Sequence, residues 1–273
     1  MKLVFNHPKL KLGKRAPRLD KRTLKLADYL TPALPTPPVQ AGYISKVSSW
    51  PMYLNDSLGD CVIAAAAHMI EQWSAYSGSE VSLTDQDVLV GYEKVGGYVP
   101  GNPNTDSGCD MLTALNYWRK TGFGGHKIQA FVAVDPTNKL EVMQAIYLFG
   151  NVYSGIALPL SAQTTTNPVP NGLPLWQFPA GGLNGDGSPG SWGGHCVPLM
   201  GYSNDSRGHP GTELITWGAV YDATWEFFMN YADEAYAVLS SDWFESNGEA
   251  PSGFDLAQLQ ADLSALGVES KGK

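Results

Sequence analysis

The chain has 273 residues, of which 43% are hydrophobic and 11% aromatic, and a formal net charge of -8. This length and composition allow a sizeable core, which excludes a wholly disordered protein. No apolar run reaches the roughly 18 residues of a membrane span, and no secretory signal is recognisable. We therefore expect a cytoplasmic protein without membrane contact, and a virion protein stays an open alternative.

A basic segment lies at the start of the chain. Residues 1–28 contain nine Lys or Arg and two acidic residues, a balance of +7, whereas the remainder carries -15. Basic tracts bind nucleic acid or acidic partners, or stay solvated. We interpret this one as an arm that packs along the acidic body or binds a protein assembly partner, and we disfavour nucleic acid. Four prolines within 31–39 predict an extended linker after the arm.

Sequence patterns in the first part of the body, residues 43–128, predict helices. The longest, over 61–76, contains four consecutive alanines, which indicate close packing against a neighbouring element. Thr84 is the predicted N-cap of the next helix. The further helical patterns cover 84–95, 109–121, 139–149 and, near the C-terminus, 254–267.

The second part predicts strands, because short apolar or alternating runs are bounded there by Gly or Pro. They cover 153–160, 195–202, 213–220 and 234–240, with one long loop over 161–194. Helices followed by strands predict an α+β fold. We expect an arm with its linker over 1–42, a helical lobe over 43–128, a β lobe over 129–240 and a tail with the short helix over 241–273.

Cys61 is the candidate nucleophile, since a helix N-terminus stabilises a thiolate. Such a thiolate needs a base, usually histidine. His68 lies about 10 Å further along the helix axis at 1.5 Å per residue, so His195, in a glycine-rich strand, is the better candidate. Asn55, six residues before the cysteine, either donates to an oxyanion or stabilises a turn. Cys109, at a predicted helix start, has a structural interpretation, as does Cys196.

Five motifs follow one another in a specific order. They are the run from Asn55 through Cys61 to SLTDQDVLVGYE, then SGCDMLTALNYWRKTG, EVMQAIYLFGNVYSGIAL, GGHCVPLMGY and ITWG. Over roughly residues 43–240 this order and spacing resembles the papain-like cysteine peptidases. The resemblance implies a two-lobe fold, with a helical lobe and a twisted antiparallel sheet lobe around a cleft.

The resemblance also implies roles for individual residues. Cys61 matches the nucleophile, His195 the general base and acid, and Asn55 the oxyanion donor. Trp217 matches an indole that shields the histidine, and Gly108 matches a segment whose backbone pairs with extended substrate. No metal site and no cofactor are implied, and the substrate is a peptide or a protein.

The chain departs from the family pattern at the residue that orients the histidine. Ile215 occupies the place of the family's asparagine, and an isoleucine cannot accept a hydrogen bond from an imidazole. We expect Thr216 to point to the other face by strand alternation, so that Asp222 or a backbone carbonyl takes this role. Asp60 raises the pKa of the neighbouring Cys61 thiol.

The basic arm also differs from the family's long inhibitory pro-segment, because residues 1–42 are too short and too basic to match it. We therefore expect residues 1–28 to stay outside the cleft. Two functions follow from these patterns. One is a thiol hydrolase, a cysteine peptidase that cleaves amide bonds through a Cys61 acyl-enzyme with His195 as base. The alternative is a catalytically impaired papain-like module with a structural or binding role in a phage particle or bacterial assembly.

Overall fold

A computed structural model describes residues 10–28, 36–165, 174–206 and 209–243. In these residues the chain forms six α-helices and eight β-strands. The helices are α1 (Cys61–Ser77), α2 (Asp85–Gly96), α3 (Met111–Lys120), α4 (Lys139–Phe149), α5 (Ala162–Thr165) and α6 (Trp225–Tyr231). The strands are β1 (Gln40–Gly42), β2 (Ile128–Ala133), β3 (Val152–Leu158), β4 (Leu175–Trp176), β5 (Gly193–Ser206), β6 (His209–Thr216), β7 (Ala219–Thr224) and β8 (Ala232–Ser240).

All strands belong to one sheet, in the order β2-β8-β3-β5-β6-β7-β4, with β1 paired to β5. The pairs are antiparallel except β4 and β7, which run parallel. The α+β expectation is confirmed, but the sheet is mixed rather than purely antiparallel. The parallel pair arises because β4 lies within the stretch 161–194 that was expected to be a single loop.

Helix α1 lies in the core and packs against β5. Its residues from Cys61 to Tyr76 are all buried, including the four alanines. Polar side chains also hold it in place: Gln72 donates to the Gly150 carbonyl (3.0 Å) and accepts from Asn151 (2.6 Å). The position of this helix is therefore fixed by both packing and buried hydrogen bonds.

The helices with strong end signals match the prediction. Thr84 caps α2 through a capping box with Asp87, and α4 has the predicted bounds. Helix α3 begins at Met111, capped by Asp110, so the prediction that Cys109 starts it is wrong. The predicted strand over 213–220 is two strands, β6 and β7, joined by a turn at Trp217 and Gly218, both with positive φ.

Several short elements had no clear sequence signal, namely β1, β2, β4 and α6. The predicted helix over 254–267 and most of the proline-rich linker lie outside the described residues. No helix within the described ranges is both long and apolar enough to cross a membrane.

Candidate active site

Cys61 is the first residue of α1, and contacts from the sheet fix its position. The Tyr153 hydroxyl, on β3, donates a 2.5 Å hydrogen bond to the Val62 carbonyl and so ties the first helical turn to the sheet. The thiol lies within hydrogen-bonding reach of the Cys196 backbone. The N-terminus of α1 therefore meets the start of β5, where His195 lies.

His195 is fully buried and held on two sides. Its Nε2 lies 2.6 Å from Thr216 Oγ1, and its ring stacks on the Trp217 indole with centroids 4.4 Å apart. Its Nδ1 has no hydrogen-bond partner within the described residues. One nitrogen is thus anchored, and the other can accept a proton from a neighbouring group, as a general base requires.

The expectation that Thr216 faces away from His195 is wrong. Neighbouring strand residues do point to opposite faces, but apolar Ile215 is the one that enters the core, at 1% exposure. This leaves Thr216 on the histidine side. The group that lies next to His195 Nε2 is therefore a threonine hydroxyl, and not the Asp222 side chain or the backbone carbonyl that was expected.

Asn55 is engaged within the loop that precedes α1. Its amide nitrogen donates to the Leu58 carbonyl and to Asp60 Oδ1, both at 3.1 Å. Both amide hydrogens are used in these contacts. Burial raises the pKa of Asp60 well above its usual range. Asn55 has a turn-stabilising role in this state, and its contribution to an oxyanion site stays a prediction.

The other two cysteines, His68 and His126 have structural surroundings. All three cysteines are free and buried, and Cys196 contacts the Tyr153 hydroxyl. His68 lies 2.8 Å from a backbone carbonyl, and burial lowers its pKa to about 4. His126 pairs with Asp242 at 3.0 Å. Within the described part of the chain, no three His, Cys, Asp or Glu side chains are placed to hold a metal ion.

The arm enters the cleft and pairs with the helical lobe. The Cys109 N–H donates to the Gly13 carbonyl (2.9 Å), and the Arg15 N–H donates to the Cys109 carbonyl (3.0 Å). Lys14 and Cys109 thereby form a parallel bridge. This is the contact that the resemblance assigns to Gly108 and an extended substrate, displaced by one residue to Cys109.

The opposite side of the same arm segment contacts the β lobe. The Lys14 N–H donates to the Gly194 carbonyl (3.1 Å), directly before His195. The Trp217 indole donates to the Lys11 carbonyl (3.1 Å). The Gly13 backbone lies within hydrogen-bonding reach of the Cys61 thiol. The arm therefore spans the cleft and covers the candidate nucleophile.

The prediction that the arm stays outside the cleft is wrong, and glycines give the physical reason. A Cβ on Gly13 would overlap the Gly59 carbonyl oxygen, a Cβ on Gly108 would overlap the Gly13 carbonyl, and one on Gly194 would overlap the Lys14 carbonyl. These close approaches need glycine at each position. The expectation was based on net charge, which does not describe the fit between main chains.

The side chain of Lys14 is also buried, at 1% exposure. Its Nζ lies 2.9 Å from Asp233 Oδ1 and 3.1 Å from Glu234 Oε1, and it donates to the Arg15 carbonyl (3.1 Å). The ammonium thus donates hydrogen bonds to Asp233 and to the Arg15 carbonyl, and the Glu234 carboxylate adds an ion pair. Nothing in the sequence marked Lys14 among the basic residues of the arm, because the acidic pair is distant in sequence.

Burial beneath the arm sets the protonation states of the site. It raises the pKa of Cys61 to about 12, with a further increase from Asp60, against backbone hydrogen bonds from Cys196 and Gly13 that lower it. Burial lowers the pKa of His195 to about 3. Both groups are neutral near pH 7, so the covered site holds a thiol and an imidazole rather than an ion pair.

No protein-family model matches the chain, and no curated protein sequence matches it either. Solved structures do match, at low identity. Xylellain, a cysteine protease from Xylella fastidiosa, is 13% identical with a TM-score of 0.58, over 87% of this chain and 99% of that one.

Two further cysteine protease structures are similar. Procathepsin L 3 from Tenebrio molitor is 14% identical with a TM-score of 0.57, over 85% of this chain and 77% of that one. The Carica candamarcensis protease CMS1MS2, in complex with E-64, is 14% identical with a TM-score of 0.52, over 74% and 99% respectively. At this identity the similarity concerns the fold. The chain therefore has the papain-like cysteine protease fold.

Proposed function

We propose that the protein is a thiol hydrolase that cleaves peptide bonds, with Cys61 as nucleophile and His195 as base, and that the arm keeps it latent. The observation that carries this proposal is the arm segment across the site. It is an extended main chain, hydrogen-bonded on both sides and lying against the thiol. A cleft that holds one peptide in this way can hold another when the arm leaves.

The proposed reaction begins when a substrate replaces the arm. The Cys61 sulfur attacks the carbonyl carbon of the scissile amide, while Nδ1 of His195 takes the thiol proton. That proton passes to the leaving amine, and the amine departs. Water, deprotonated by the same imidazole, then attacks the thioester and releases the acid. In this proposal the Cys61 N–H at the helix end stabilises the oxyanion, and Asn55 adds to it if its amide leaves Asp60.

Thr216 is the proposed positioning residue for the imidazole. In the tautomer that we propose, its hydroxyl, 2.6 Å away, accepts from Nε2–H, which leaves the lone pair of His195 at Nδ1, on the side that lacks a partner within the described residues. The hydroxyl is also a donor, so it fixes the tautomer less strictly than a carboxamide oxygen would. We expect Thr216→Val to lower kcat more than it raises KM, and Thr216→Asn to restore part of the loss.

The experiment uses full-length protein in which the arm is displaced by Gly13→Ala, since a Cβ there would overlap the Gly59 carbonyl. We expect iodoacetamide to alkylate Cys61 at least about tenfold faster than in the wild type, which corresponds to about 1.4 kcal/mol. We also expect hydrolysis of fluorogenic peptides to appear. Ala16→Ser, at an exposed position of the same arm, is the matched control and should leave both rates unchanged.

Cys61→Ala combined with Gly13→Ala separates hydrolysis by this site from a contaminant, because it must abolish turnover. Two results would contradict the proposal. One is rapid alkylation of Cys61 without turnover of any peptide. The other is equal alkylation of Cys61 and the buried reference Cys196. Either result favours the alternative function, a catalytically impaired papain-like module with a structural or binding role.

A further inference from the structure

We infer that the acidic pocket filled by Lys14 is the specificity pocket of the site, and that it takes a lysine or arginine side chain of a peptide substrate. This inference rests on the proposed function and names its substrate class. The substrate position concerned is the one that Lys14 occupies, with its main chain between Cys109 and Gly194. It is adjacent to Gly13, whose backbone reaches the Cys61 thiol.

The main chain around Lys14 uses groups that remain when the arm leaves. They are the N–H and carbonyl of Cys109 on one side and the carbonyl of Gly194 on the other. A substrate main chain in the cleft satisfies the same groups, as strand addition requires. Its side chain at this position then points where the Lys14 side chain points, toward β8.

The pocket has space for a long side chain because β3 carries a glycine there. A Cβ on Gly155 would overlap Cε of Lys14, so the aliphatic part of lysine fills the volume that any larger residue would occupy. The ammonium then lies between Asp233, whose side chain is 27% exposed, and Glu234, at 6%. The Tyr236 hydroxyl donates to the other oxygen of Glu234 (2.9 Å) and fixes the carboxylate.

The selection follows from the cost of a buried charge. When the arm leaves, the Glu234 carboxylate loses its cation, and a carboxylate recessed in a pocket is unfavourable without a paired charge. A lysine or arginine side chain restores the pair. A neutral side chain of equal length leaves it unpaired, and an acidic side chain adds repulsion.

The first test compares two fluorogenic peptides that differ only in lysine or norleucine at this position, with full-length Gly13→Ala protein. Norleucine keeps the aliphatic length and lacks the ammonium. We expect kcat/KM to be at least about tenfold higher for lysine. Glu234→Gln in the same background should bring the ratio close to one. Glu226→Gln, an exposed carboxylate on α6, is the control and should keep the ratio. Turnover with equal rates for both peptides would overturn the inference.

A second test reads the pocket without turnover. Lys14→Ala in the full chain removes three carbons and the ammonium group, which are the atoms of propylammonium. Binding of this ion in the vacated pocket should therefore raise the Tm of the variant, up to a plateau at high concentration. We expect no such rise with 1-propanol, in the wild type, or when Glu234→Gln is added. An equal rise in Tm with propylammonium and with 1-propanol would overturn the inference that the pocket selects a cation. A specific propylammonium effect without any peptide turnover would uphold the pocket and refute the proposed function.

Discussion

The two parts of the basic arm contact the body in different ways. Residues 10–15 are held in the cleft by main-chain hydrogen bonds, by one buried ammonium group and by the Arg15 guanidinium, which donates to the Ser107 carbonyl and hydroxyl. Residues 16–23 have fewer contacts with the body: Leu19 is 95% exposed, and Arg22 pairs with Asp20 of the arm itself at 2.6 Å. Their one ion pair with the described residues of the body is the exposed contact of Arg18 with Asp110 at 3.7 Å. Positive charge is common to both parts, so charge alone does not explain where the arm binds.

The arm returns to the body further along, and again through main-chain and apolar contacts. The Ala133 N–H donates to the Leu24 carbonyl (2.7 Å), and Leu26 is 3% exposed. Surface ion pairs contribute little to stability, typically about 0–1 kcal/mol. The difference between the two parts teaches that a close-fitting backbone, one desolvated ammonium and the hydrogen bonds of the Arg15 guanidinium hold this arm. Within the part of the chain that the structure describes, the cations of the second part have only exposed ion pairs.

The largest expected effect is that of Lys14→Met. Methionine keeps much of the length but removes the ammonium, which leaves Glu234 buried without a cation. Breaking a buried pair in this way costs about 3–5 kcal/mol, with the lower end expected here because Asp233 is partly exposed. The arm should open, and iodoacetamide should alkylate Cys61 far faster than in the wild type.

The matched control for that variant is Arg22→Met, which removes a cation from the exposed part of the arm. We expect no change in the alkylation rate. If both variants opened the cleft equally, net charge would hold the arm after all, and the distinction between its two parts would fail.

The next effect comes from Gly155→Ala, which leaves every charge in place. The new Cβ would overlap Cε of Lys14, and the side chain must shift. Overpacking of this kind costs roughly 1–3 kcal/mol. The alkylation rate of Cys61 should rise, by less than for Lys14→Met. Gly181→Ala is the control because a Cβ there meets nothing within 4 Å. An unchanged rate in Gly155→Ala would show that the Lys14 side chain does not anchor the arm.

The helix-terminal cysteine and the glycine-flanked histidine could be predicted from the sequence because their signals are local. Cys61 follows a turn and begins a long run of small residues, and His195 lies in an apolar strand. The papain-like order of motifs then predicted the fold. These features depend on residues that are close in sequence or on a pattern that survives at 13% identity to xylellain.

The contacts that sequence reasoning missed depend on residues distant in the chain. Thr216 faces His195 because the core takes Ile215, and nothing local decides between these two neighbours. Lys14 meets Asp233 some 219 positions later. The glycines were visible as space beside the histidine, but what fills this space is another segment of the same chain.

A smaller effect is expected from pH. In the covered site burial lowers the pKa of His195 to about 3, while a solvated histidine titrates near about 6.5. Below that pH the open form binds a proton that the covered form does not, so acid favours opening, by at most about 1.4 kcal/mol per pH unit.

The measurement is hydrogen exchange at pH 7 and pH 5, corrected for the intrinsic pH dependence of exchange. Protection of residues 10–15 should fall at pH 5. Arg22 holds the pKa of Asp20 well below its usual range, so that pair should not respond in this window. His195→Gln should flatten the response. Equal protection of residues 10–15 at both pH values would mean that the covered histidine is not linked to the arm.

The smallest expected effect is that of salt. Raising NaCl from 0.1 to 1 M shortens the Debye length from about 10 Å to about 3 Å, which screens exposed pairs much more than buried ones. An arm held by +7 against -15 over the surface would lose most of its binding. An arm held by main-chain bonds and the buried Lys14 pair would not. We therefore expect exchange of the Lys14 amide, which donates to Gly194, to change by less than about twofold. A steep loss of its protection would instead assign the binding to distributed surface charge.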